Sequence, residues 1–561
     1  MKKVVFLFLL LLFVGLSFSA SLEKKIARLF VVGFPGEKMN SRLEKLIETG
    51  VGGFILYSYN ISSKKQIMDL IKKIKSKGDF LIFIDQEGSY VSRIKKGVFV
   101  PPNAMALGSA DDPFLSYLCG YLTGVDLKRL GIDVNLAPVL DVNSNPFNPV
   151  IGIRSFWSKS ERVVRNGIAF MRGMIASGIL PVVKHFPGHG STGVDSHTSL
   201  PVVNKSEESF IKEDIYPFKK AIECGAPAVM IGHILVPFWD GVPATMSSKV
   251  IEYLRRNLNF NGLIISDEIS MGAITKFEGD ISSAVIKALN AGIDMILISD
   301  GKKVNRIIRD VVEAIENGNL PLERIEEAFN RVEKIKRYAK NIEPINLSID
   351  PNWVMKEVAE NAIALMGNFQ IEKGKRYLVI SPFEDDGLKT FVDKMKQFGA
   401  RVCVMNHLEN IIMNVELKEF DGLLVFTRDI HRTPEFAEKI NKILEVIPHN
   451  IVIALRSPYD LLFIDKKVVK SYSATYDWNR YFAEALFDIL AGLKMSCGDF
   501  PFNKTYWGDE YEANRYIDNL FYLHNHLSGY KGIRCCLAIF STQFRAYEHI
   551  HWRIRFFRYI Q

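Results

Sequence analysis

Short apolar segments alternate with amphipathic segments along the chain from residue 30 to residue 300. The apolar segments are hydrophobic nearly throughout, which is typical of parallel strands buried on both faces. The intervening segments, such as 64–77 and 161–176, repeat their apolar residues at helical spacing. The eight predicted strands are Phe30–Phe34, Gly53–Tyr57, Leu81–Ile84, Val134–Ala137, Pro181–Val183, Ala228–Ile231, Leu263–Ile265 and Asp294–Ile298.

Polar residues gather directly after these predicted strands. Eight strand–helix units in this span match the size of a (β/α)8 TIM-like barrel, whose strands all end at one rim. An open doubly wound sheet is the structural alternative. A single polar residue after a strand is usually a helix cap, but the repetition favours one shared site. The residues concerned are Asp85, Gln86, Glu87, Asp141, Asn143, Lys184, His185, His233, Asp267, Glu268 and Asp300.

A second α/β region follows the predicted barrel domain, which spans residues 21–340. Prolines at positions 344 and 351 predict a linker over residues 341–375. A C-terminal α/β domain then spans residues 376–503, and its strand-like runs are Tyr377–Ile380, Val402–Val404, Gly422–Phe426 and Ile451–Ala454. Residues 504–561 form an atypical basic, aromatic tail, interpreted as a dispensable extension or as a membrane-surface segment.

Composition narrows the functional classes. With 561 residues, of which 48% are hydrophobic and 24% charged, the chain is too long for one core and is expected to form two domains. The formal net charge of +8 is modest and its lysines are dispersed, so no nucleic-acid partner is predicted. The cysteines at 119, 224, 403 and 497 are scattered, and buried free thiols are expected.

The N-terminus has the pattern of a secretory signal peptide over residues 1–20. Lys2 and Lys3 precede a short apolar run, and small residues follow it, with cleavage expected after Ser19 or Ala20. The protein is therefore expected to be exported to the periplasm or the extracellular space. An uncleaved signal anchor is the alternative, and no other stable membrane partner is predicted.

The most concentrated chemistry lies in residues 184–197, which hold Lys184, His185, His189, Asp195 and His197 among glycines. Imidazole and carboxylate groups first suggest a zinc site. The spacing matches no common zinc motif, and a lysine would place positive charge beside the metal. The alternative is a dyad in which Asp195 orients His197 for proton transfer near neutral pH.

A carboxylate directly after the seventh predicted strand is the natural partner of such a dyad. Asp267 precedes a loop of small residues and is a candidate nucleophile. By propensity alone, it fits equally well as the cap of the next helix.

Together these segments resemble a known family. Residues 184–201 resemble the signature of the β-N-acetylhexosaminidases of glycoside hydrolase family 3, and Ser266 to Ile274 resembles that family's nucleophile segment. Further similar segments, in the family's order, are 85–88 with Arg93, 150–156, 243–247 and 291–295. The resemblance covers residues 22–340, and the second region is similar, more weakly, to the family's C-terminal α/β sandwich domain.

The resemblance implies a retaining exo-β-N-acetylglucosaminidase that uses no metal and no cofactor. Asp267 would form a covalent glycosyl-enzyme intermediate, and His197, held by Asp195, would act as general acid and then as base. The substrate would be an oligosaccharide with terminal N-acetylglucosamine, from cell-wall fragments or chitin. The residues that would bind this sugar are Asp85, Arg93, Arg154, Lys184 and His185.

The chain departs from the family pattern at two places: Ser89-Tyr90 follow Gly88 where Gly-Arg is usual, and Ser191 stands where aspartate is common. The usual glycosidase uses two carboxylates. An imidazole in place of one carboxylate lowers the negative charge near an incoming anion, so phosphate could replace water as the acceptor. The alternatives are therefore a family 3 glycosidase or phosphorylase of different, β-glucosidase-like specificity, a non-catalytic sugar-binding protein, and a zinc hydrolase.

Overall fold

The barrel predicted from the apolar pattern is confirmed. The computed structural model describes residues 21–406, 417–430 and 434–502, so the predicted signal peptide and tail lie outside the described residues. Eight parallel strands close into a barrel, in which β8 pairs with β1. The strands are β1 Phe30–Gly33, β2 Gly53–Leu56, β3 Leu81–Ile84, β4 Val134–Asn135, β5 Leu180–Phe186, β6 Ala228–Ile231, β7 Leu263–Glu268 and β8 Met295–Ile298.

Two barrel strands run further than their apolar cores predict. β5 and β7 continue into polar residues, and each has a register shift, between Val183 and Phe186 in β5 and between Ile265 and Glu268 in β7. A bulge of this kind changes the direction in which side chains point. The polar residues Lys184, His185 and Asp267 all lie within the two shifted segments.

Helices surround the barrel, and their ends follow local capping rules. Helix Lys64–Lys75 begins after Ser63, whose hydroxyl accepts the Gln66 N–H, and its last turn carries three lysines that suit the negative helix end. The α-helices of the barrel region are Ser41–Thr49, Lys64–Lys75, Ala104–Ala110, Pro113–Leu130, Ser160–Ala176, Glu207–Phe210, Tyr216–Glu223, Ser248–Glu252, Gly272–Glu278, Ile281–Ala291, Val304–Glu316 and Leu322–Asn341.

A separate mixed sheet forms the second domain, as predicted for an α/β sandwich. Its order is β11-β10-β12-β13-β14-β9, and β9 alone runs antiparallel to its neighbour. The strands are β9 Ala364–Met366, β10 Arg376–Ile380, β11 Arg401–Met405, β12 Gly422–Thr427, β13 Asn450–Ala454 and β14 Ser471–Ala474. Its α-helices are Pro351–Ala362, Asp386–Phe398, Pro434–Leu444 and Arg480–Leu490.

The segment expected to be a linker, 341–375, contains helix Pro351–Ala362 and strand β9. Helix Pro351–Ala362 packs against barrel helices Ala104–Ala110 and Pro113–Leu130 and also against Arg480–Leu490 of the second domain. β9 follows this helix and forms the edge of the second sheet. The second sheet thus includes a strand that precedes residue 376, the predicted start of the second domain.

Buried hydrogen bonds join the two domains on the rim side of the barrel. Asp477 Oδ2 accepts the Ser89 hydroxyl at 2.6 Å and the Asn103 N–H at 2.8 Å. The Asn103 amide in turn donates to the Tyr476 carbonyl at 2.9 Å. Ser89, one of the two departures from the family pattern, therefore has a structural partner in the second domain.

Candidate active site

Five charged side chains form a buried ionic cluster at the barrel rim. Lys184 Nζ lies 2.9 Å from Asp85 Oδ1 and 2.6 Å from Glu87 Oε1. Arg93 Nη2 donates to Asp85 Oδ2 at 2.9 Å, and Arg154 makes two bonds of 2.8 Å to the Glu87 carboxylate. The cluster joins strand β5, which carries Lys184, to the loops that follow β3 and β4. It brings together four of the five predicted sugar-binding residues.

The cations of this cluster keep its carboxylates ionised. Burial alone would raise the pKa of Glu87, but the Arg154 and Lys184 charges outweigh it and hold that pKa far below its ordinary value. The pKa of Asp85 is also lowered, because Lys184 and Arg93 outweigh its burial. The predicted binding set did not include Glu87, although its position after the third predicted strand indicated that it could lie at the site.

Aromatic rings flank the cluster on its β2 side. The Arg93 guanidinium lies over the Tyr57 ring at 5.6 Å, and Tyr57 stacks on Tyr59 at 5.4 Å. Tyr59 is 54% exposed. Burial and the nearby Asp85 carboxylate raise the pKa of Tyr57, which therefore stays a neutral hydroxyl. The predicted site did not include these rings.

His185, the fifth predicted binding residue, is fixed by a carboxylate that the predicted catalytic and binding sets did not include. Asp141 Oδ2 lies 2.7 Å from His185 Nδ1, and Asp141 Oδ1 accepts the His189 N–H at 2.6 Å. The other ring nitrogen, Nε2, faces Arg154 at 3.5 Å. Asp141 is fully buried, and it therefore orients both the ring of His185 and the backbone of the following turn.

Asp267 lies half-buried at the end of β7. Its Oδ1 accepts the Glu268 N–H at 2.8 Å. Burial would raise the pKa of Asp267, but His185, His233, this N–H and Lys184 together lower it. The group is therefore a carboxylate at neutral pH.

A buried histidine forms a hydrogen bond with the last residue of β7. His233 Nε2 lies 2.8 Å from the Glu268 carbonyl, and its Nδ1 lies 2.7 Å from the Thr245 hydroxyl. Burial lowers the pKa of His233, so the neutral ring donates to the carbonyl and accepts from the hydroxyl. His233 was noted in sequence only as a polar residue after a strand, and it fixes the backbone beside Asp267.

The histidine loop, residues 187–199, carries the predicted dyad. His197 Nδ1 lies 2.7 Å from Asp195 Oδ1, which also accepts the His197 N–H at 2.8 Å. The His197 side chain is 65% exposed. The loop rests on the segment after β7: Ala273 N–H donates to the Ser196 carbonyl, and a Cβ on Gly272 would lie 2.4 Å from the His197 carbonyl. The dyad and Asp267 thus belong to contacting segments.

The base of the histidine loop is held by a buried imidazole. His189 Nδ1 lies 2.8 Å from the Thr192 hydroxyl, and its Nε2 lies 3.2 Å from the hydroxyl of Ser196. Burial lowers the pKa of His189 to about 4, so the ring is neutral. Gly190 packs so closely that an added Cβ would lie 2.0 Å from the Val142 carbonyl. His189 is therefore a structural part of the loop that carries His197.

Within the described residues, no group of three or more histidine, cysteine, aspartate or glutamate side chains is placed to hold a metal ion. In the same part of the chain, no helix combines the length and the apolarity that crossing a membrane requires.

Comparison with known proteins matches the barrel region to a known protein family. The family model described as glycosyl hydrolase family 3 N terminal domain matches residues 21–335. The chain is 33% identical over 319 residues to β-hexosaminidase A of Pseudoalteromonas piscicida and spans about half (53%) of that protein. It is 34% identical over 279 residues to a β-hexosaminidase of Methylococcus capsulatus, covering 49% of this chain and 82% of the relative.

Solved structures match both domains. A family 3 β-N-acetylglucosaminidase from a Paenibacillus species superposes with a TM-score of 0.78 at 31% identity, covering 85% of this chain and 98% of that chain. A fungal multi-domain family 3 β-N-acetylglucosaminidase gives a TM-score of 0.76 at 26% identity, with 85% and 60% covered.

Proposed function

The chain belongs to glycoside hydrolase family 3, and we propose that it is a retaining exo-β-N-acetylglucosaminidase. The observation that carries the proposal is the placement of two reactive groups. An ionised Asp267 lies near the end of β7, next to its final residue Glu268, and the hydrogen-bonded His197–Asp195 pair lies on a loop that contacts the segment after β7. The β-hexosaminidase names of the relatives support the same reaction.

In the first step, the Asp267 carboxylate attacks the anomeric carbon and the bond from this carbon to the glycosidic oxygen breaks. Asp267 Oδ1 accepts the Glu268 N–H, which leaves Oδ2 as the attacking atom. His197 Nε2 gives its proton to the departing oxygen, because Nδ1 is held by Asp195. The product is a covalent glycosyl ester on Asp267.

In the second step, water attacks the same carbon and the bond to the Asp267 oxygen breaks. His197 Nε2 takes a proton from the water, so that histidine and carboxylate return to their starting states. Two inversions at one carbon give net retention of configuration. The Asp195 carboxylate stabilises the imidazolium that forms after water attack.

The ionic cluster supplies the binding site for the non-reducing sugar. We assign sugar hydroxyl contacts to Asp85, Arg93, Arg154, Lys184 and His185, because charged groups make the stronger hydrogen bonds. Lys184 and Arg154 already bind carboxylates. Their cationic charge thus also fixes the orientation of Asp85 and Glu87.

We further propose export to the periplasm or the extracellular space, since residues 1–20 have the signal-peptide pattern. The natural substrates would then be cell-wall fragments or chitin oligosaccharides with terminal β-linked N-acetylglucosamine.

Azide rescue tests the two catalytic roles separately. We expect Asp267→Ala to lose hydrolysis of an aryl N-acetyl-β-glucosaminide, and azide to restore turnover with an α-glycosyl azide, since the small anion replaces the nucleophile in a single inversion. We expect His197→Ala to slow hydrolysis by about 100-fold or more and azide to yield the β-glycosyl azide. Unchanged melting temperatures would show that both variants fold.

A panel of aryl glycosides that differ at the sugar 2-position, with and without phosphate, tests the specificity. The proposal expects turnover of the N-acetyl substrate without phosphate. Preference for the glucoside, or a phosphate requirement, would point to the other family 3 activities. Tight sugar binding without turnover would contradict enzymatic function, and loss of activity with a chelator would favour a zinc hydrolase.

A further inference from the structure

The loop after β4, residues 136–159, lies between the histidine loop and the second domain. Its inner side holds the histidine loop by amide hydrogen bonds. Asn145 Nδ2 donates to the Thr192 carbonyl at 3.0 Å. Asn148 Nδ2 donates to the His189 carbonyl at 2.9 Å and to the Thr192 carbonyl at 3.0 Å. Residues 189–192 are thereby tied to the β4 loop.

The outer side of the β4 loop contacts the second domain. Asn143 Nδ2 donates to the Tyr459 hydroxyl oxygen at 3.0 Å, and Asn143 Oδ1 accepts the Gly152 N–H at 3.1 Å. Tyr459 is only 5% exposed. The rings of Phe147 and Phe463 meet edge to face at 6.3 Å. Both contacts come from one short helix, Pro458–Phe463.

This short helix is fixed within the second domain. The Tyr472 hydroxyl donates to the Pro458 carbonyl at 2.8 Å, and Asp460 Oδ1 accepts the Ile430 N–H at 2.9 Å. Tyr472 and Asp460 are both fully buried. The helix therefore presents Tyr459 to the barrel from a rigid support.

We propose that Tyr459 is a positioning residue for general acid catalysis, and this inference rests on the proposed acid/base role of His197. The Tyr459 hydroxyl orients Asn143 and so fixes the β4 loop. The β4 loop holds residues 189–192, and the His189 ring bonds Ser196 beside His197. Proton transfer requires a heavy-atom distance near 3 Å, so a small displacement of the histidine loop lowers the rate.

Tyr459→Phe removes the hydroxyl and little else. The test compares kcat/KM, which reports the step that forms the glycosyl-enzyme, for two substrates. A β-linked N-acetylglucosamine disaccharide needs protonation of its leaving group, whereas a dinitrophenyl N-acetyl-β-glucosaminide does not. We expect an approximately fivefold loss for the disaccharide, the equivalent of one net hydrogen bond, and less than twofold for the dinitrophenyl substrate.

Tyr377→Phe is the matched control. Tyr377 is a buried tyrosine of the same domain, and its hydroxyl accepts the Glu372 N–H and donates to the Gln370 carbonyl instead of bonding to the β4 loop. We expect this variant to leave both substrates unchanged. We also expect Tyr459→Phe to add no further loss of disaccharide activity in the background of Asn143→Ala, because the two side chains act as one unit.

Equal losses for the two substrates of Tyr459→Phe would indicate a change in the amount of folded enzyme and would overturn the positioning role. The same conclusion follows if the variant cannot be distinguished from Tyr377→Phe. If the unmodified protein turns over neither substrate, the proposed function itself fails. If the wild-type enzyme is active and the Tyr459→Phe variant is unaffected, only the positioning role fails.

Discussion

At the scale of single residues, the rim of the barrel is stabilised by charges that are buried in pairs. An isolated charge is costly to bury, so each must find a partner of opposite sign. Glu87 and Lys184 have side chains only 6% and 3% exposed, and both bond to more than one member of the cluster. Removing one member therefore leaves an uncompensated charge in the interior.

Glu87→Gln is expected to lower the free energy of unfolding by about 3 kcal/mol at pH 7, because Arg154 and Lys184 lose a shared buried carboxylate. The pKa of Glu87 is lowered in the folded protein. The advantage of the wild type is thus complete above the ordinary glutamate pKa and is lost as the pH falls below it. Urea unfolding between pH 3.5 and pH 7 measures both effects.

The matched control for this substitution is Glu438→Gln, which removes an exposed pair with Lys442. Exposed pairs contribute little, so no measurable change is expected. A Glu87 variant as stable as this control would show that the buried cluster does not depend on the glutamate charge.

At the scale of elements, strand ends and a short helix position the side chains that form and support the site. The register shifts of β5 and β7 fall on the segments that hold Lys184 and Asp267. The short helix Pro458–Phe463 carries two side chains that contact the β4 loop, and Asp460 anchors it to the loop after β12.

Asp460 makes this anchor pH-dependent. Burial raises the pKa of Asp460 to about 7. The folded protein keeps this proton where the unfolded chain has lost it, so stability is complete below the ordinary aspartate pKa and declines as the pH rises to about 7. Asp460→Asn retains an acceptor for the Ile430 N–H. We therefore expect this variant to gain stability relative to wild type between pH 4 and pH 7.

Melting temperatures across that pH range measure the difference between Asp460→Asn and wild type. Asp421→Asn is the control, because Asp421 is an exposed carboxylate of the same domain whose pKa is lowered by the Arg376 N–H. A difference between Asp460→Asn and wild type that stays constant from pH 4 to pH 7 would contradict a raised pKa at this position.

At the scale of the whole molecule, the barrel and the second domain share buried polar contacts. Asp477 accepts hydrogen bonds from Ser89 and Asn103 of the barrel and from Trp478 of its own domain. An unpartnered buried donor costs more than the bond itself contributes. We therefore expect the two domains to unfold together, in one cooperative transition.

Asp477→Ala is expected to separate barrel and second-domain unfolding into two transitions in scanning calorimetry, because it leaves the Asn103 N–H without an acceptor. In wild type, the calorimetric and van 't Hoff enthalpies should agree. Asp465→Ala, which removes an exposed carboxylate that bonds within the second domain, should keep the single transition. One transition in the Asp477 variant would mean that other contacts suffice to couple the domains.

The amino-acid pattern alone predicted the barrel, the second α/β domain and the polar residues that follow the third to eighth barrel strands, because hydrophobic periodicity is a local property of the chain. The segments around Lys184 to His197 and Asp267 also indicated the family. Two strands of the second sheet were not predicted. β9 lies in the expected linker, and β14, Ser471–Ala474, is half serine, so its buried hydroxyls hide it from a search for apolar runs.

Which polar residues meet depends on the three-dimensional fold. Asn143 and Tyr459 are 316 positions apart, and Ser89 and Asp477 are 388 apart. Pairings over such separations depend on the closure of the barrel and on how the second domain packs against it, and local periodicity carries no information about either. The same reason explains why the roles of Glu87, Asp141 and His189 at the site depend on the fold. Glu87 bonds to Arg154 of another loop, Asp141 bonds to His185 of β5, and His189 bonds to Ser196 at the far end of its own loop.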